Sequence, residues 1–320
     1  MMSMISPPSL HSASSSSSCS AAARPYGLLS FFHAIRLHQW IKNILVFLPL
    51  LAAHQWTDAR IFAQAFLAFF AFCLVASSVY LLNDVIDLPT DRLQENKRHR
   101  PFASGALSVS VAYWAIPLFA ISGFVLSSLL SWPVVVSLGV YYGLTLAYSC
   151  YLKRVILLDV VLLSLLYGCR VFTGALATQV PISTWLMAFL IFFFLSLALA
   201  KRAGELLNSR RQVQRQVPGR GYLLGDLRFI FSIGIVSGYQ AVLIFALYIN
   251  SNAVQNLYRL PQLLWPICVV LLYWISHIWL KVSRGEMRSD PLVLALKDPI
   301  SYLCAGLGLV AFISAWGVLI

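Results

Sequence analysis

"NDVIDLPTDRLQENKRHRPFASG", residues 83–105, stands between two of the most apolar runs of the chain. It carries Asp84, Asp87, Asp91 and Glu95, with Arg92 after the last Asp and Lys97, Arg98 and Arg100 a few residues on. Charge is scarce elsewhere. Only 11% of the 320 residues are charged, 60% are hydrophobic and the mean hydropathy is +0.80. A soluble domain carries about a quarter charged residues. The composition is that of an all-α polytopic membrane protein, and the quoted stretch is a polar edge between two spans.

Runs of roughly 20 apolar residues cross a hydrocarbon layer about 30 Å thick as helix. Such runs lie near 33–53, 60–82, 109–129, 132–151, 156–178, 182–201, 228–250, 260–280 and 300–320, which predicts nine transmembrane helices. Basic residues in short loops are retained on the cytoplasmic side. With the N-terminus inside, every Lys and Arg except Arg60, Arg170 and Arg259 falls in the N-terminal region with the start of the first span, or in segments 83–108, 152–155, 201–228 and 281–299. These loops are expected to be cytoplasmic and to carry the chemistry. The net charge of +12 is thereby assigned to membrane topology, and no nucleic-acid partner is expected. Residues 1–26 are Ser/Ala-rich without an apolar signal core, so a disordered tail is expected there, followed by one transmembrane domain over 27–320. The six Cys are scattered without CxxC spacing, which suggests neither disulfide nor zinc site.

Asp84, Asp87 and Asp91 are spaced by three and four, so on a helix continuing from the second span they share one face. Three crowded carboxylates repel one another unless a cation is present, and hard oxygen ligands suit Mg²⁺, which uses one or two carboxylates plus substrate phosphates. Asn83 could add a carbonyl oxygen. Arg92, Lys97, Arg98 and Arg100 offer donors that match phosphate oxygens. The expectation is a Mg²⁺–diphosphate site with Asp84, Asp87 and Asp91 as ligands and Arg100 as a catalytic cation. A solvated loop would account for the basic residues alone, but not for acid followed by base at this spacing.

The stretch resembles the first Asp-rich motif of the UbiA-type intramembrane prenyltransferase superfamily. Within it, the chain resembles the decaprenyl-phosphate phosphoribosyltransferases over nearly all of its length after residue 30, also through "RLHQWIKNILVF" (36–47), "YSCYLKRVILLDVVLLSLLYGCRVFTGA" (148–175), "LALAKRAGEL" (197–206) and "DPLVLALKDPIS" (290–301). The resemblance implies a nine-helix bundle with a cytoplasmic-facing cavity in a bacterial inner membrane, Mg²⁺ as cofactor, and 5-phosphoribosyl 1-diphosphate and a polyprenyl monophosphate as substrates. It also implies use of the product in arabinose donors for cell-envelope glycans or nodulation signals. The chain departs from that pattern at "LQEN" after the last Asp and at "KDPIS".

Further substrate contacts are expected from Lys42, Tyr148, Lys153, Asp159 and Arg170. Lys42 could equally snorkel to the interface. Asp159 and Arg170 lie three turns apart on one helix face, so Arg170 is set either inside a cavity or in an interhelical ion pair. Where many superfamily members carry a second Asp-rich motif, this chain has Lys201, Arg202 and Glu205, which favours direct binding of a bare phosphate. Three functions stay open: phosphoribosyl transfer to a polyprenyl phosphate, prenyl transfer to an aromatic acceptor such as 4-hydroxybenzoate, and non-catalytic lipid carriage.

Overall fold

Helix starts in this chain are set by short polar side chains and prolines. Asp58 caps α3 (Ala59–Ile86), its carboxylate accepting from the Arg60 and Ile61 amides, and Ser108 caps α5 (Val109–Ser128). Pro133 lies in the first turn of α6 (Trp132–Cys150) and Pro266 in that of α11 (Trp265–Ser283), where a missing N–H is harmless. Asp298 caps α13 (Pro299–Trp316), which ends at Gly317 with φ 89°. Between these run α7 (Leu158–Thr178), α8 (Thr184–Arg211) and α9 (Leu227–Ile249). Short helices complete the chain: α1 (Gly27–Ala34), α2 (Leu48–Ala52), α4 (Leu88–Leu93), α10 (Asn252–Leu257) and α12 (Pro291–Ala295). The computed structural model describes residues 27–93, 97–211, 221–287 and 291–317. The Ser/Ala-rich tail, most of "LQEN" and Asp290 of the last quoted segment lie outside them.

Among the described residues eight helices, α3, α5, α6, α7, α8, α9, α11 and α13, are long and apolar enough to cross a membrane. The predicted ninth, near 33–53, is not one continuous helix. It is broken at Arg36, which takes a left-handed conformation (φ 55°), and continues as a 3₁₀ helix over Leu37–Phe47 and then α2. The physical reason lies in its partner. Trp40 Nε1 donates to Ser77 Oγ (3.0 Å) and Asn43 Nδ2 to Cys73 Sγ (3.2 Å), so three residues here match four on α3. Three residues of 3₁₀ helix rise about 6 Å, as do four of α-helix. The tighter winding keeps both contacts in register. On its other side the segment lies so close to α7 that a methyl group at Gly174 would sit 2.0 Å from the Val46 carbonyl oxygen.

Among the long helices α3 packs against α5, α6 and α7, and α8 against α7, α9 and α11. The buried face of α3 is rich in small residues, including Ala65, Ala68, Ala71, Ala76, Ser77 and Ser78. Small side chains let helices approach closely, the main source of packing energy in a bilayer. A second apolar cluster joins α7, α8, α9 and α11 through Val171, Leu199, Ile230, Ile275 and Trp279. Arg170 sits at depth in α7. Its Nε donates to Asn43 Oδ1 (2.9 Å) and its Nη2 to Tyr141 OH (3.2 Å), and the Phe72, Tyr141 and Tyr167 rings lie within 5.3 Å of its guanidinium carbon. The interhelical contacts of Arg170 are thus to an amide, a hydroxyl and aromatic rings, and the carboxylate cluster below forms without it. A cage of π faces surrounds its charge and ties the 3₁₀ helix to the bundle.

Candidate active site

The acidic stretch begins in the last turn of α3, and the helix ends at Ile86. Pro89 has no N–H to continue it, so the chain turns at Asp87 and starts again as α4. The single continuous helix expected through Asp91 is thus two. Asp84 and Asp91 still come together: Arg100 Nη1 lies 3.3 Å from Asp84 Oδ1 and 2.6 Å from Asp91 Oδ2. Asp84 also accepts from Arg36 Nη2 at 2.5 Å, and Lys97 Nζ lies 3.7 Å from Asp91. Asp87 parts from them and pairs with Lys153 Nζ at 3.1 Å, from the turn between α6 and α7. Asp84 and Asp91 are buried, 3% and 1% exposed, while Asp87 is 30% exposed.

Mg²⁺ can be tested against this donor set. Among the described residues no three Asp, Glu, His or Cys side chains converge to hold a metal unaided. Two hard acceptors are nevertheless buried without a hydrogen-bond donor, Asn83 Oδ1 and Asp91 Oδ1. Unsatisfied buried oxygens are rare in folded proteins. Oxygens from Asp84 and Asp91, completed by phosphate oxygens, fit a Mg²⁺ site with few protein ligands, and Asn83 adjoins Asp84 in the last turn of α3.

A second polar group lies at the start of α7. Asp159 is fully buried and accepts from Arg202 Nε (2.6 Å) and Tyr222 OH (2.5 Å). Arg202, 1% exposed, also donates through Nη1 to Glu205 and through Nη2 to Tyr148 OH (3.2 Å). Each guanidinium nitrogen thus has a protein acceptor.

The model of the UbiA prenyltransferase family matches residues 44–296. The chain belongs to that family. It is 36% identical to the protein y4nM of Sinorhizobium fredii over 282 residues, which is 88% of this chain but only 55% of that one. It is 36% identical to the nodulation protein NoeC of Azorhizobium caulinodans over 89% of this chain and 92% of the relative. Decaprenyl-phosphate phosphoribosyltransferase of Mycolicibacterium smegmatis is 31% identical over 87% of this chain and 90% of its own. Among solved structures, a UbiA homolog from Archaeoglobus fulgidus bound to DMAPP and Mg²⁺ has a TM-score of 0.64 at 12% identity, covering 88% of this chain and 99% of that one. That likeness concerns the fold.

In this UbiA family member the structure gathers Asp84, Asp91, Lys97 and Arg100 into one cluster and brings Asp87 to Lys153. Tyr148, Asp159, Arg202 and Glu205 form the second group, with Lys201 half-buried beside Arg202. Arg92 and Arg98 are exposed, and Lys42 is half-buried on the 3₁₀ helix. Two residues that contact these groups were missed from sequence, Arg36 beside Asp84 and Tyr222 beside Asp159. Arg36 stands at the head of an apolar run, where a lone Arg reads as an interfacial residue. The signal that could have found it is the polar series Arg36, His38 and Lys42 at the start of a supposed span. Tyr222 follows a polar stretch with no periodicity, and nothing in its neighbourhood points to Asp159.

Proposed function

We propose that this protein transfers 5-phosphoribose from 5-phosphoribosyl 1-diphosphate to a polyprenyl monophosphate and releases pyrophosphate. The observation that carries the reading is the pair of buried carboxylates, Asp84 and Asp91, with buried oxygens at Asn83 and Asp91 that accept no hydrogen bond and three partly exposed cations around the pair, Arg36, Arg100 and Lys97. Acid for a metal beside base for phosphate is the chemistry of a Mg²⁺–diphosphate site. The choice of phosphoribosyl transfer is supported by the likeness to the Mycolicibacterium smegmatis enzyme over most of both chains, and by the replacement of a second acidic motif with Lys201, Arg202 and Glu205.

Bound Mg²⁺ would polarise the diphosphate and neutralise charge on the leaving pyrophosphate. Asp84 and Asp91 would hold it. Arg36 and Arg100, partly exposed beside the carboxylates, would face phosphate oxygens, where fixed cations stabilise charge that develops as the C1–O bond breaks. Lys153, 23% exposed beside Asp87, is placed to take another phosphate oxygen, and Lys201 is the cation assigned to a separate phosphate. The lipid phosphate oxygen attacks the oxocarbenium-like C1 from the opposite face, with inversion. An ionised phosphate is already a nucleophile at neutral pH, so no general base is required. The helix ends that carry these loops are assigned to the cytoplasmic side of a bacterial inner membrane on the positive-inside distribution.

The test is transfer by the purified chain of radiolabelled phosphoribose into a lipid extract in the presence of Mg²⁺. Label reaching the lipid supports the proposal. Prenylation of an aromatic acid from a prenyl diphosphate, without phosphoribosyl transfer, would replace it.

A further inference from the structure

The turn that carries Lys153 is held on both sides by the buried group around Asp159. On one side, Arg202 donates to the Tyr148 hydroxyl at the end of α6 (3.2 Å). On the other, the Tyr222 hydroxyl donates to Asp159 Oδ1 (2.5 Å) and accepts the Leu157 amide N–H (3.0 Å). Leu157 has φ 65°, a conformation disfavoured for a branched side chain that persists only where the surroundings hold it. Gly221 lies directly on this turn: a methyl group there would sit 2.9 Å from both the Arg154 carbonyl oxygen and Ile156 Cγ1. Residues 148, 154, 156, 157 and 159 are thus in contact with neighbouring elements. Lys153 reaches outward from the same turn, to Asp87 at 3.1 Å.

We propose that Tyr222 is a positioning residue of the active site, whose hydroxyl joins Asp159 to the Leu157 amide and so presents Lys153 to the diphosphate. The inference rests on the diphosphate site proposed above and adds to it a residue that touches no substrate. Its side chain is buried, 1% exposed. Burial first, then the Asp159 carboxylate, push the phenol's pKa upward, so the hydroxyl remains a donor at working pH. Tyr222→Phe keeps the ring and removes both hydrogen bonds. Without them, the positive φ at Leu157 loses its support, and the four-residue connection to Lys153 is free to relax.

The experiment uses the full chain in detergent, with Mg²⁺-pyrophosphate as the probe, titrated calorimetrically into the wild type, Tyr222→Phe, Lys153→Ala and the double variant. Expected is a loss of about tenfold in affinity for each single variant, the size of one charge-assisted hydrogen bond. The double variant should bind no more than about twofold more weakly than Lys153→Ala, because residues acting through one contact are not additive. Gly221→Ala, which presses on the same turn without touching the hydroxyl, should weaken binding in the same way and serves if Tyr222→Phe does not fold. Equal affinity of Tyr222→Phe and wild type would overturn the positioning role alone, as would additive losses in the double variant. Absence of pyrophosphate binding by the wild type would overturn the diphosphate site and the positioning role together.

Discussion

Asp91 and Asp159 are both almost fully buried and both face an arginine nitrogen at 2.6 Å, yet the arginines differ. Arg100 is 29% exposed and shares one nitrogen between Asp91 and Asp84. Arg202 is 1% exposed, and its remaining nitrogens are taken by Glu205 and Tyr148. Opening the first pair lets Arg100 return to water and leaves oxygens that a metal can take. Opening the second leaves two charges in a dry interior, at a cost of several kcal/mol. The same residue types thus build an exchangeable cluster at the end of α3 and a fixed one at the start of α7. Solvent access to the cation, rather than burial of the acid, separates them.

Substitutions can break this comparison. The largest effect is expected at the exchangeable cluster: Asp84→Asn should lower turnover by roughly 10²–10³-fold, the scale of losing one preorganised electrostatic group, with membrane insertion and elution profile intact. Undiminished activity would remove Asp84 from the proposed metal site. Arg202→Ala should act on stability instead. Leaving Asp159 buried without its cation costs about 3–5 kcal/mol, read as a lower melting temperature in detergent and poor recovery. A folded Arg202→Ala variant with raised KM alone would return Arg202 to the substrate and erase the distinction. Arg170→Met sharpens the contrast from a third place. It should destabilise by about 1–3 kcal/mol through the unpaired Asn43 carbonyl while leaving KM unchanged, and a large KM effect would place Arg170 in the cavity after all. Smallest is Lys97→Ala, whose ammonium lies 3.7 Å from Asp91 and is 41% exposed. A solvated ammonium at that distance contributes about 1 kcal/mol, so a change in KM of a fewfold at low salt, shrinking at high salt, is expected.

Most of the fold was legible because spans are written in hydropathy alone: eight predicted runs correspond to eight membrane-length helices. The first was misjudged because its winding is set by Ser77 and Cys73 on α3, contacts invisible in the segment itself. The acidic motif was legible because its chemistry is local, and Asp84 and Asp91, seven residues apart, keep one helical face across the break. Asp87 left that face for Lys153, 66 residues away. The partners of Arg202 were illegible for the same reason. A basic residue near a membrane edge looks like a phosphate ligand until its partners are known, and Asp159 lies 43 residues earlier in the chain.

The central claim is the reaction at the exchangeable cluster. It is tested most directly by incubating the purified protein in detergent with Mg²⁺, radiolabelled 5-phosphoribosyl 1-diphosphate and a polyprenyl monophosphate, and following label into the organic phase. The account predicts label in the lipid that is lost with EDTA and in Asp84→Asn. Label that never leaves the aqueous phase, in a preparation that prenylates an aromatic acid from a prenyl diphosphate, would contradict it.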